Sequence, residues 1–133
     1  ITVVVHLPPQ DLIVHLPPEV LEQPLINLID NATKFCGRRR WAQVEVRVVV
    51  DHSQPLCPLA IQVGDTGSGM TPEQVRHLFH PLHTASGAKG HGIGLYVSHS
   101  LLIAVGGQLI LKENWRWGGS VFEMRLPLVW GEK

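Results

Sequence analysis

Two asparagines on one predicted helix have side chains suited to binding a metal ion. They belong to a polar stripe with spacings of four, four and three residues, which a helix would carry on one face: Gln23, Asn27, Asn31 and Lys34. Neutral amide oxygens suit a hard cation such as Mg²⁺ whose charge is already partly neutralised by phosphates, and a lysine ammonium suits phosphate oxygens. The plain alternative is a solvated helix face, and this stripe alone does not separate the two interpretations.

A glycine-rich acidic turn is the second candidate. Asp65 lies two residues after the end of a predicted strand and is followed at alternate positions by Gly67 and Gly69. A carboxylate at a strand end can accept a hydrogen bond from an exocyclic amine, and glycines let the backbone approach a flat ring closely. Acidic glycine-rich turns are common, so a purely structural turn is an equal alternative.

A second glycine cluster, GHGIGL at residues 90–95, leads into a predicted helix. The bare amides at a helix N-terminus form a site for anions. The cluster is no dinucleotide-binding fingerprint because it follows a loop and lacks the third glycine spacing, and the chain has no phosphate-loop lysine followed by serine or threonine.

Hydrophobic spacing predicts the elements that position these candidates. Pro24 lies inside the first helical window, so that helix either begins near Val20 to Leu21 or bends at the proline. Prolines and glycines mark the turns. Strands are predicted at 2–6, 12–15, 44–50, 59–63, 108–113 and 120–126, helices at 19–35, 71–79 and 93–105, and a mobile loop at 80–92. The segregated elements predict an α+β, two-layer α/β sandwich.

Composition limits the class of protein. The 133 residues have a formal net charge of zero, which disfavours a nucleic-acid partner, and 44 % hydrophobic residues, which favours one compact domain. No apolar run approaches the ~20 residues of a membrane helix, so this segment is expected to make no membrane contact. Two cysteines indicate a reducing, cytoplasmic setting, and a chain that opens on Ile1 suggests a module of a longer protein.

Five motifs in register resemble one family. LEQPLINLIDNATKF is similar to its N box, GDTGSGM to its G1 box, LFHPLHT to its F box, GHGIGL to its G2 box and GGSVFEMRLP to its final strand. The family is the ATP-binding catalytic domain of bacterial two-component sensor histidine kinases, in the GHKL superfamily with gyrase and the MutL repair protein. The resemblance implies the Bergerat ATP-binding fold, a mixed sheet packed against three helices, over 1–133 as one domain of a longer kinase. GLYVSHS and GGQLIL look most like the Reg-type sensor kinases.

The resemblance implies roles for particular residues. Asn31 is expected to ligate Mg²⁺ with support from Asn27, which makes both metal residues, and Lys34 is expected to meet phosphate. Asp65 is expected to bind the adenine amine of ATP, with Gly67 and Gly69 beside the ring. Ser120 replaces the more common threonine near the base.

The resemblance also implies a phosphate-binding segment in and before the G2 box. The F box departs from the family at Leu82, where a second aromatic is usual, and at Ala85, where a basic residue is usual. Lys89 and His91 are therefore candidates for the missing phosphate contact. The expected cofactor-binding residues of this segment are Lys89, Gly90, His91, Gly92, Ile93, Gly94 and Leu95.

The residue at position 27 separates the members of the superfamily by their chemistry. ATP-hydrolysing relatives have a glutamate at the position of Asn27, and an amide cannot accept a proton as a general base. The γ-phosphoryl group is therefore expected to pass to a histidine on a separate dimerisation domain. A response regulator, a homodimeric full-length protein and an inner-membrane anchor outside this segment complete the expectation. The alternatives are a degenerate non-catalytic nucleotide-binding module and an ATPase or serine kinase of the same superfamily.

Overall fold

A computed structural model describes residues 2–36, 42–67, 69–76, 91–112 and 119–128, with the backbone alone described for Phe35 and for residues 91–93. In chain order the elements are β1 (Thr2–His6), α1 (Pro18–Cys36), β2 (Gln43–Val50), β3 (Leu59–Asp65), α2 (Pro72–Arg76), α3 (His91–Ala104), β4 (Gln108–Lys112) and β5 (Val121–Leu126).

The strands form one mixed sheet in the order β1-β2-β3-β5-β4. β1 pairs with β2 in parallel, and the remaining neighbours are antiparallel. α1 and α3 pack together and against one face of the sheet, whereas the short helix α2 buries no residue. The predicted two-layer α+β sandwich is confirmed.

The core lies between the helical layer and the sheet. Alternate strand residues face the helices, as the period-2 pattern requires, and α1 adds one side chain at each turn. Its most buried members are Leu28, Ala32, Cys36, Val44, Val63, Leu102, Met124 and Leu126.

Helix α1 begins earlier than predicted. It starts at Pro18, where a proline is tolerated because the first turn needs no amide donor, and Glu19 adds a favourable acidic residue in that turn. The helix then continues through the buried Pro24, which leaves the Val20 carbonyl without its usual amide partner. The predicted window 19–35 is therefore correct to one residue at each end, whereas the alternative start near Val20 to Leu21 is wrong.

The predicted strand at 12–15 is also wrong. Among these residues only Ile13 makes a single isolated bridge, and no ladder forms. Leu12, Val14 and Leu16 are partly buried against the core. The alternation of apolar and polar residues therefore arises from an extended segment that packs on the core without joining the sheet. The proline pairs on both sides of the segment remove the amide donors that would have extended a ladder.

Local capping explains where α2 begins and where α3 ends. Thr71 and Gln74 exchange hydrogen bonds in a capping box ahead of α2, with Gln74 N donating to Thr71 Oγ1 at 3.1 Å and Thr71 N to Gln74 Oε1 at 2.8 Å. α3 ends in a Schellman motif in which Gly106 has φ +82° and Gly107 N donates to Leu102 O at 2.7 Å. The predicted stop at Gly106-Gly107 is confirmed.

The predicted loop at 80–92 lies mostly outside the described residues. α3 begins at His91, two residues before its predicted start, so the second glycine cluster opens inside the first helical turn. None of the described helices is both long enough and apolar enough to span a bilayer.

The sheet face away from the helices carries a buried ion network. Glu123 is fully buried and accepts from Gln62 Nε2 at 2.7 Å and from Lys112 Nζ at 3.1 Å, beside the Arg125 guanidinium. Burial alone would raise the pKa of the Glu123 carboxyl, but these partners outweigh burial and lower that pKa below its usual value. The network joins β3, β4 and β5 on the face opposite the helices.

Candidate functional site

The buried carboxylate of Asp65 is the centre of the candidate site. Asp65 ends β3 and is 2 % exposed. Its Oδ1 accepts the Gly67 amide at 2.8 Å and lies 3.5 Å from the Ser120 amide, while its own amide donates to Ser120 O at 3.0 Å. A carboxylate has about four acceptor directions, so Asp65 is able to accept a further hydrogen bond from an amine. The predicted neighbours Gly67 and Ser120 do meet Asp65, and Gly69 has the positive φ of +77° that favours glycine.

Gly119 fixes the position of this carboxylate, although the sequence analysis did not single it out. A Cβ at Gly119 would lie 1.8 Å from Asp65 O and 2.6 Å from Asp65 Oδ1, so only glycine fits. The start of β5 thereby approaches the end of β3 more closely than any side chain would allow. The glycine pair before Ser120 was the available sequence signal.

We expect Gly119→Ala to destabilise the fold by about 1–3 kcal/mol, because the added methyl group overlaps the Asp65 backbone. Gly94→Ala is the matched control, since its Cβ would meet nothing closer than Asn27 Cγ at 3.7 Å and alanine is favoured inside a helix. Urea denaturation of the two variants and the wild type measures both effects. A Gly119→Ala variant as stable as wild type would contradict the close approach.

A second cluster ties the end of α1 to the same edge of the sheet. Thr66 Oγ1 accepts the Gln43 amide at 3.0 Å, and the Thr66 amide donates to Gln43 O at 3.2 Å. Buried Cys36, the last residue of α1, donates from Sγ to Gln43 O at 3.4 Å. The C-terminal half of α1 is thereby held next to Asp65.

Asn31 is the strongest candidate ligand on α1. Its side chain is 4 % exposed, and within the described part of the chain its Nδ2 has no hydrogen-bond partner. A buried polar group without a partner is costly, and a binding role is one explanation for keeping it. The amide therefore offers an oxygen for a hard cation and a donor for an anionic oxygen.

Asn27 is half-buried and is directed toward α3. Its Nδ2 donates to Ser98 Oγ at 3.0 Å and to Gly94 O at 3.3 Å. This contact joins the first turn of α3 to the asparagine face of α1. Ser98 was missed by the sequence analysis, because nothing local indicates that its partner lies on α1.

Lys34 is paired on its own helix. Its Nζ lies 2.9 Å from Asp30 Oδ2, four residues earlier, and both side chains are about half exposed. An exposed pair of this kind is worth little, about 0.3–0.5 kcal/mol, so the ammonium can leave it for a stronger anion at small cost. The spacing of Asp30 and Lys34 was the sequence signal for this pair.

The phosphate-binding segment predicted from the second glycine cluster is described only in part. Lys89 and Gly90 fall outside the described residues, and the backbone of His91, Gly92 and Ile93 forms the first turn of α3. Leu95 is 4 % exposed and belongs to the core, so only its backbone is available to a ligand. The first amides of α3 and the partial positive charge of its N-terminus remain suited to an anion.

These groups lie at one end of the sandwich, where α3 and β5 begin and β3 ends. A carboxylate acceptor stands on the sheet, and amide groups and an ammonium follow one face of α1. The N-terminus of α3 supplies further donors beside Asn27. The arrangement suits a ligand with an amine at one end and anionic oxygens at the other, together with a hard cation.

The chain is similar to a protein family and to several curated proteins. Residues 17–129 match the family described as histidine kinase-, DNA gyrase B-, and HSP90-like ATPase. The chain is 33 % identical over 118 residues to the autoinducer 2 sensor kinase/phosphatase LuxQ of Vibrio cholerae, covering 85 % of this chain and 13 % of that protein. It is 34 % identical over 127 residues to the histidine protein kinase DivJ of Caulobacter vibrioides, covering 92 % of this chain and 20 % of that protein.

Solved structures support the fold. A mycobacterial sensor histidine kinase, MprB, superposes with a TM-score of 0.79 at 21 % identity, covering 96 % of this chain and 83 % of that one. Full-length ShkA in complex with AMPPNP gives a TM-score of 0.74 at 21 % identity, covering 99 % of this chain and 26 % of that one. The chain spans a fifth or less of the two curated relatives.

Proposed function

The chain belongs to the histidine kinase-, DNA gyrase B- and HSP90-like ATPase family, and we propose that it binds Mg-ATP and supplies the γ-phosphoryl group to a histidine of a separate dimerisation domain. The nucleotide site is inferred from the placement of buried Asp65 and the Asn31 amide at one end of the sandwich, where Asn31 Nδ2 has no hydrogen-bond partner among the described residues. ShkA, which is similar in fold, was solved with AMPPNP, an ATP analogue.

The adenine end of the site is assigned to the sheet. Asp65 accepts a hydrogen bond from the exocyclic amine, and Gly67 and Ser120 hold its Oδ1 in place through their amides. Gly67 and Gly69 let the backbone approach the ring, and Ser120 stands beside the base at the start of β5. A base that has a carbonyl in place of the amine would place one hydrogen-bond acceptor against another, because the Asp65 carboxylate only accepts.

The phosphate end is assigned to the two helices. Asn31 Oδ1 fits Mg²⁺ as a hard oxygen ligand, with Asn27 as its support, and Lys34 exchanges Asp30 for a phosphate oxygen. The first turn of α3, with Gly92 and Gly94, supplies backbone donors, and Lys89, Gly90 and His91 are proposed to add contacts ahead of it. Bound Mg²⁺ supplies charge neutralisation for the transferring phosphoryl group.

Asn27 favours transfer over hydrolysis. Its Nδ2 donates to Gly94 and Ser98, and a neutral amide is not able to take a proton from an attacking water. Water therefore lacks a base at this position, and the γ-phosphoryl group is retained for a stronger acceptor. Phosphoryl transfer of this kind needs mainly positioning and charge neutralisation.

The partners are proposed at the level of the whole protein. The acceptor is a histidine of the parent protein's own dimerisation domain, and a response regulator receives the phosphoryl group next. A homodimeric parent kinase acts in the cytoplasm, with an inner-membrane anchor outside this segment. The relatives LuxQ and DivJ, several times longer than this chain, are named as a sensor kinase/phosphatase and a histidine protein kinase.

The test follows the γ-phosphate. With γ-labelled ATP and Mg²⁺, the chain alone should form no phosphohistidine and release phosphate slowly, whereas an added dimerisation domain should become labelled. Calorimetry with and without Mg²⁺ measures binding separately. Brisk hydrolysis by the chain alone would instead favour the ATPase alternative, and binding without any transfer to the acceptor would favour the non-catalytic module.

A further inference from the structure

Ser98 is a fully buried hydroxyl in the middle of α3. It shares the buried face of the helix with Leu95 and Leu102, so an apolar residue would satisfy the packing pattern at this position. Burying a hydroxyl among apolar neighbours is costly unless it is hydrogen-bonded. Its partner is Asn27 Nδ2 at 3.0 Å, on the other helix of the layer.

The same amide also contacts the α3 backbone. Asn27 Nδ2 lies 3.3 Å from Gly94 O, so its two hydrogens are divided between the carbonyl and the Ser98 hydroxyl. The Gly94 carbonyl can only accept, and the reversed amide would set two oxygens against each other. These two contacts fix the rotation of the Asn27 amide and leave Oδ1 as its remaining polar atom.

The contact also sets the distance between two walls of the proposed phosphate site. Asn27 lies one helical turn before Asn31 on α1, and Gly94 lies in the first turns of α3. A Cβ added to Gly94 would lie at ordinary van der Waals distance from Asn27 Cγ, 3.7 Å, so the gap between the helices here is about one methyl group wide. A small displacement of α3 would therefore alter the spacing between the Asn31 amide and the α3 N-terminus.

We propose that Ser98 is a positioning residue for phosphate binding: its hydroxyl holds the Asn27 amide and thereby fixes the first turn of α3 against the asparagine face of α1. Ser98 itself lies behind the site and touches no ligand. This inference rests on the proposed function, because it names how the phosphate end of that same site is held. Asp65 holds the adenine end on the sheet and does not depend on the Ser98 contact.

The test compares ligands that share adenine and differ in phosphates. Calorimetry of Ser98→Ala with adenosine, ADP and Mg-ATP should show no change for adenosine and the largest loss, about tenfold in Kd, for Mg-ATP. Ser100→Ala is the matched control, because Ser100 is an exposed serine on the same helix. That variant should bind all three ligands as the wild type does.

A second variant guards against a folding effect. Ser98→Cys leaves no cavity, because the thiol is slightly larger than the hydroxyl, but its sulfur is a weak acceptor, and the variant should reproduce the phosphate-dependent loss. In a double-mutant cycle, Ser98→Ala should cost little more once Asn27→Ala has removed the partner.

The outcomes separate the two proposals. If the wild type fails to bind Mg-ATP, the proposed function fails and this inference fails with it. If the wild type binds but Ser98→Ala weakens all three ligands equally, or none of them, only the positioning role is overturned.

Discussion

Asp65→Asn is expected to weaken ATP binding by about 1.5–3 kcal/mol, the loss of one charge-assisted hydrogen bond to the adenine amine. The variant keeps the shape of the side chain, and its amide oxygen can still accept from Gly67 and Ser120. Its other terminal atom becomes an NH₂ donor, which would face the donor of the adenine amine. The loss of ATP affinity should therefore come from the contact with adenine, and the fold should stay intact.

Calorimetry with ATP and GTP measures this effect. The wild type should prefer ATP strongly, because guanine presents a carbonyl where adenine presents the amine, and Asp65→Asn should reduce that preference. Asp11→Asn is the control, since Asp11 is an exposed aspartate in the segment before α1. Equal wild-type affinities for ATP and GTP would remove Asp65 from the adenine site.

Asn31→Ala is expected to abolish the Mg²⁺-dependent part of ATP binding and to reduce transfer to background. The substitution removes the buried amide whose oxygen is assigned to the cation. Asn27 is not able to move into its place, because Gly94 and Ser98 hold its amide one turn away, and Lys34 is itself a cation. ATP titrations at zero and saturating Mg²⁺ isolate the metal contribution. Labelling of an added dimerisation domain reports the transfer.

The chain offers a matched control on the same helix. Gln23 is an exposed amide two turns before Asn31 on the same polar stripe, and Gln23→Ala should leave both measurements unchanged. An Asn31→Ala variant that gains as much affinity from Mg²⁺ as the wild type would show that the cation is held elsewhere.

Most elements of the fold were predictable from the sequence, and the errors occur where contacts between distant parts of the chain decide the structure. Periodicity and capping residues, which act over a few neighbours, predicted the β2–β3 hairpin, the start of α2, the end of α3 and the strands β4 and β5. Residues 12–15 alternate like a strand, but whether an extended segment joins a sheet depends on a partner strand and free amide donors. Of the two alternatives that Pro24 raised for α1, the later start is wrong because the packing of α1 offsets the local cost of a proline.

The family was predicted from the order of its motifs and is confirmed by the match over residues 17–129. The roles of the single residues and the closer resemblance to Reg-type kinases stay predictions. Asn31 and Asp65 were predicted as site residues because each lies in a motif that resembles the family, since spacing alone left a purely structural role open. Lys89 and Gly90, which fall outside the described residues, stay expectations of the same kind.

The sequence by itself determined which chemical groups each element carries, because spacing along a helix or strand decides which side chains share a face. It placed Asn27, Asn31 and Lys34 on one helix and Asp65 at the end of a strand. Only the tertiary structure decided how these groups meet. The Asn27–Ser98 bond joins residues 71 positions apart and the Asp65–Ser120 contact residues 55 apart, and no local pattern specifies such pairs. They exist because burying the two-layer core brings α1 against α3 and β3 against β5.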